Sequence, residues 1–103
     1  MLKLKEIFDE VVDLGIVETQ TEFSEFCGMK PSWYSSSVTR DRAITMDVLY
    51  RMKSILFDIY IETLAAIDVE DDPDEVDALQ AGSDALKILC DRIQSEMDRR
   101  VSI

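Results

Sequence analysis

At 103 residues and 47% apolar side chains, the chain has room for one core and is too apolar to stay wholly disordered, so a single folded unit is expected. Its apolar runs are far shorter than the roughly 20 residues that span a bilayer, and its start lacks a signal-peptide pattern, which predicts a cytoplasmic protein with no membrane partner. The net charge of −11 opposes a nucleic-acid partner unless the acidity is unevenly placed, and the lack of histidine removes the commonest general base.

In chain order, Leu4, Ile7, Phe8, Val11, Val12 and Leu14 recur at spacings of three and four, which predicts a helix over 3–14. Gly15 is placed to stop it in the left-handed conformation. Thr19, with Glu22 three residues on, has the capping-box arrangement for a second helix that turns Phe23, Phe26 and Cys27 inward and ends at Gly28. Pro31, suited to a first helical position, predicts a third helix from there to about Val38, with Tyr34, Val38 and Trp33 as its apolar contacts.

Thr45 or Thr39 can cap the fourth helix. Met46, Leu49, Met52, Ile55, Leu56, Ile59, Tyr60 and Leu64 keep a helical period for about 20 residues, as one long helix or as two with a bend. Val69 to Pro73 reads as a linker, and Asp72, Pro73 and Glu75 as a strong helix start. The last helix, over 73–99, gathers Val76, Leu79, Leu86, Leu89, Ile93 and Met97 on one face. The sum is an all-α fold of about five helices: a helix-turn-helix domain over 1–67, an acidic linker over 68–72 and a C-terminal helix over 73–103.

No nucleophile has a recognisable orienting partner and no phosphate-binding glycine loop is present, so neither an enzyme nor a cofactor is expected. Cys27 and Cys90 fall inside helical stripes and read as buried thiols. The carboxylates from Glu70 to Asp77 lack the ordered spacing and glycine of a calcium loop, so no metal site is expected there.

The stretch that carries a functional reading is Gln20-Thr21-Glu22-Phe23-Ser24-Glu25-Phe26-Cys27-Gly28-Met29-Lys30-Pro31-Ser32-Trp33-Tyr34. Two short helices that cross at a fixed angle need a small residue where they touch, a turn residue between them and apolar anchors on each. Ser24, Gly28, Phe23, Met29 and Tyr34 supply these in order. The stretch resembles the helix-turn-helix of the phage Cro and repressor families, in which Gln-Thr-Glu-Leu-Ala followed four residues later by Gly is common. The resemblance spans about residues 19 to 56. The same segment also resembles a family of small uncharacterised bacterial proteins with a Glu-Phe, Gly and Ser-Tyr pattern around the turn.

The resemblance implies a transcriptional regulator that binds double-stranded DNA as a homodimer. Gln20 would meet the phosphate backbone, and Ser32, Trp33 and Ser36 would face the groove. Pro31 stands where related regulators often carry a base-reading glutamine, and serine reads several bases poorly. Lys30, Arg40 and Arg42 flank the second motif helix as natural phosphate contacts. Residues 1–60 hold 7 basic and 10 acidic side chains against 4 and 12 in 61–103, so most of the acidity lies beyond the motif. The apolar stripe of the last helix needs a cover, which dimerisation or packing on its own core would provide. The alternative function is an acidic, antiactivator-like regulator that keeps the fold and binds another protein, since an acidic chain steers toward basic partners.

Overall fold

The computed structural model describes residues 2–102 and is all-α. Five helices run in the order α1 (Leu4–Asp13), α2 (Gln20–Phe26), α3 (Trp33–Thr39), α4 (Met46–Val69) and α5 (Pro73–Val101). Among the described residues there is no strand. Among the same residues no helix is long and apolar enough to cross a membrane.

Local chemistry sets most of the helix starts. The Glu6 carboxylate accepts the Lys3 N–H at 2.7 Å. Thr19 Oγ1 accepts the Glu22 N–H at 3.1 Å, while the Glu22 carboxylate reaches back to the Glu18 N–H. Thr45, not Thr39, caps α4 by accepting the Val48 N–H at 3.3 Å. Asp72 accepts the Asp74 N–H at 3.0 Å ahead of Pro73. These bonds satisfy N–H groups that have no partner within the helix.

Two boundaries differ from expectation. Pro31 does not open α3: it sits in a turn closed by the Trp33 N–H on the Lys30 carbonyl at 2.9 Å, and the helix starts at Trp33. The stretch after Thr45 is a single 24-residue helix that runs to Val69, so residues 68 and 69 are helical and the connection shrinks to Glu70, Asp71 and Asp72. In that connection the Glu70 carboxylate accepts the N–H groups of both Asp71 and Asp72. One carboxylate of the acidic run thus acts as a backbone clip.

The core joins Ile7 and Val11 of α1, Phe23 of α2, Tyr34 of α3, Leu49, Met52 and Leu56 of α4, and Leu86, Leu89 and Ile93 of α5. Of the α5 stripe, Leu86, Leu89 and Ile93 are buried by the rest of the chain, whereas Val76, Leu79 and Met97 are half-buried. Arg92 strengthens that packing by reaching Glu10 at 2.8 Å and Glu6 at 3.6 Å on α1. Beyond the core, α4 and α5 continue as a two-helix arm. No residue between 57 and 82 is fully buried, because no third element packs on that part of the hairpin.

The far end of α5 is tied down by Glu96, a carboxylate buried to 5% exposure. It accepts from the Leu2 N–H at 3.3 Å, from Arg99 and from Arg100 at 2.9 Å. Arg100 also donates to the Ile44 carbonyl ahead of α4. Hydrogen bonds from Arg99 and Arg100 hold the Glu96 carboxyl down to about 2. Nothing in the apolar periodicity marks this residue as central.

Candidate nucleic-acid interface

The α2–α3 pair is fixed by one buried hydroxyl. Ser24 is fully buried where the helices meet; its Oγ accepts the Tyr34 N–H at 3.0 Å and donates to the Gln20 carbonyl at 3.1 Å. It thereby satisfies an N–H at the start of α3 that would otherwise lack a partner. Phe23 meets Tyr34 edge-on with ring centroids 5.3 Å apart, and Phe8 of α1 lies 5.3 Å from Phe23 and 4.6 Å from Tyr34. Edge-to-face contacts of this kind add to simple burial. Burial also pushes the Tyr34 phenol up from its ordinary value.

The turn depends on Gly28, whose φ of +76° suits glycine. A Cβ there would also come within 2.8 Å of Arg51 Nε, which donates to the Phe26 carbonyl at 3.3 Å. Arg51 is thus a brace for the turn. Gly28→Ala is expected to cost about 1–3 kcal/mol, read as a lower urea midpoint. Gly15→Ala serves as the reference, since Gly15 has a similar φ of +75° with open space around it. The excess loss at Gly28 measures the displacement of Arg51, and equal losses would show that Arg51 yields freely.

The sequence-predicted site residues do not all fall on one face. Gln20, Lys30, Ser32, Ser36, Arg40 and Arg42 are exposed. Ser32, Ser36 and Arg40 recur every four residues and so share one line along α3. Trp33 is half-buried: with Met29, Ser37, Arg42 and Ile44 it lines a cleft of about 230 Å³. Arg42 belongs with that cleft, which places it at the edge of the α3 line.

Val38, expected as a core contact, is 39% exposed, and Ser37 is buried instead. The rotation follows from anchoring α3 through Tyr34, which puts position 37 one turn on toward the core. Ser35, and Thr39 in place of its expected role as a helix cap, add two exposed hydroxyls that were not expected at this face. Their signal was the helical register of α3, which could not be set until its start was known.

No carboxylate occurs from residue 26 to residue 40, in a chain that otherwise carries 22 of them. The next acid, Asp41, faces Lys3 at 3.5 Å across exposed surface, a weak pairing. The nearby thiol offers no chemistry: burial pushes Cys27 up to about 12, so it stays protonated at neutral pH. Hydroxyls, one indole edge and cations are what the α3 face presents.

No curated protein and no solved structure matches the chain. Residues 4–102 match the model of DUF6626, a family of unknown function, and the chain belongs to that family.

Proposed function

We propose that the chain is a DNA-binding regulator of the Cro and repressor kind, with α2 across the phosphate backbone and α3 in the major groove. The observation that carries this reading is the exposed α3 face, free of carboxylates and flanked by Lys30 and Arg40, in a chain of net charge −11. Such a face lets a phosphate approach without like-charge repulsion. Lys30, Arg40, Arg42 and Gln20 hold the backbone in this scheme, and Ser32, Ser36 and the edge of Trp33 face the bases. Serine supplies little base discrimination, so phosphate contacts dominate the affinity. The case for a homodimer is the α5 stripe, of which a single copy buries Leu86, Leu89 and Ile93 and leaves Val76 and Leu79 half-buried.

The test is fluorescence anisotropy with duplexes from the promoters of neighbouring genes, between about 50 and 200 mM salt. Three phosphate-contacting cations give a log–log salt slope near −2.7, at about −0.9 for each phosphate neutralised. Changing Lys30, Arg40 and Arg42 together to alanine is expected to flatten that slope and abolish binding at the upper end of the series. Absence of binding by the parent at the lowest salt would reject the reading. A second reading, a regulator that acts on another protein, is favoured by a different observation: the arm carries nine carboxylates and no cation between residues 57 and 82.

A further inference from the structure

Along α4, Tyr50, Phe57 and Ile61 are 65%, 47% and 48% exposed. Spacings of seven and four place them on a single line of the helix. Tyr60, with its ring 6.0 Å from that of Phe57, widens the line toward α5. Three large apolar side chains on one line, half of each in water, form a face without a partner among the described residues.

The charges around the line select its occupant. Helical geometry sets Asp47, Asp58 and Glu62, all exposed, along one flank of it. Arg51, on the same flank, is turned to the Phe26 carbonyl; toward α5, Lys53 is half-buried on the side of Cys90 and Lys87 is already paired with Asp91 at 2.7 Å. A second copy of the chain would bring nine arm carboxylates against nine more, and DNA would be repelled by all of them. A cationic helix with an apolar face meets both the acids and the apolar line.

We propose that the α4 face built on Tyr50, Phe57 and Ile61 docks an amphipathic, Lys- and Arg-bearing helix of a partner protein. The proposal gives the second reading above its surface and is independent of DNA binding by α3. Apolar anchors of the partner seat along the Phe57–Ile61 line, and its cations meet Asp58 and Glu62. The two faces lie on different helices, so each can be disabled without the other.

The test uses the full chain and a fluorescent leucine–lysine peptide of about five helical turns with leucine on one face. Saturable one-to-one binding is expected, with a scrambled peptide of the same composition bound at least about tenfold more weakly. Phe57→Asp combined with Ile61→Asp is expected to weaken binding about tenfold or more. That pair adds two negative charges, so attraction by charge alone would tighten binding of the peptide and overturn the proposal. Ile88→Asp, at an apolar position on α5 that is 59% exposed, is expected to leave affinity within about twofold. Should the double aspartate variant unfold by circular dichroism, Phe57→Ser with Ile61→Ser carries the same expectation. Equal binding of the scrambled peptide, an equal loss with Ile88→Asp, or a concentration-dependent dimer dissolved by the Phe57 and Ile61 changes would each reject it.

Discussion

Phe23→Ala is expected to destabilise the protein by about 3–5 kcal/mol, the largest loss of any single change considered. Phe23 is fully buried and touches the rings of Phe8, Phe26 and Tyr34, so its removal opens a cavity shared by α1, α2 and α3. A small domain has only about 5–15 kcal/mol in all, so the variant would lose from about a fifth to all of its stability. Thermal unfolding followed by circular dichroism should drop by about 12 °C or more, taking at least 4 °C per kcal/mol. Phe23→Leu keeps much of the volume and should recover most of the loss. A melting point within a few degrees of the parent would mean that α4 and α5 hold the fold without the aromatic cluster.

Glu96→Gln should cost on the order of 2 kcal/mol at neutral pH, since charge-assisted hydrogen bonds from Arg100, Arg99 and the Leu2 N–H are weakened together. The pH dependence has a definite sign. A carboxyl at about 2 in the folded chain and near 4.5 in the unfolded one stabilises the fold fully above about pH 4.5. That contribution is lost as pH falls from there through about 2. The stability difference between parent and Glu96→Gln, measured by urea unfolding at stepped pH, should therefore be flat from pH 7 to about 5 and then shrink. A difference that does not change with pH would show that Glu96 acts by shape alone.

How far the sequence foretold this fold depends on how local each cause is. Thr19, Asp72, Gly15 and Gly28 act on atoms within a few residues, and each does in the structure what its position implied. Long helices were also legible, because eight apolar positions on α4 leave little freedom in phase. The seven-residue α3 was not: with its start displaced from Pro31 to Trp33, Val38 and Ser37 exchanged the roles that periodicity would give them. Small buried polar residues such as Ser37 and Ser83 carry no apolar signal at all. Glu96 lay furthest out of reach, since its bond to Leu2 joins residues 94 positions apart and no pattern along the chain encodes it. Of the candidate interface, the exposed hydroxyls and cations could be listed from sequence, whereas the withdrawal of Trp33 into a cleft depended on tertiary packing.

The Glu96 anchor also bears on the order of events in folding. α4 and α5 are joined by three residues and can zip together early, because closing so short a loop loses little entropy. The Leu2 attachment, 94 residues along the chain from Glu96, closes the largest loop of any described hydrogen bond and is expected to form last. Interactions absent from the transition state slow unfolding without hastening folding. In a chevron, Glu96→Gln should then raise the unfolding limb and leave the refolding limb nearly in place, which makes the acid at the end of α5 a latch against unfolding.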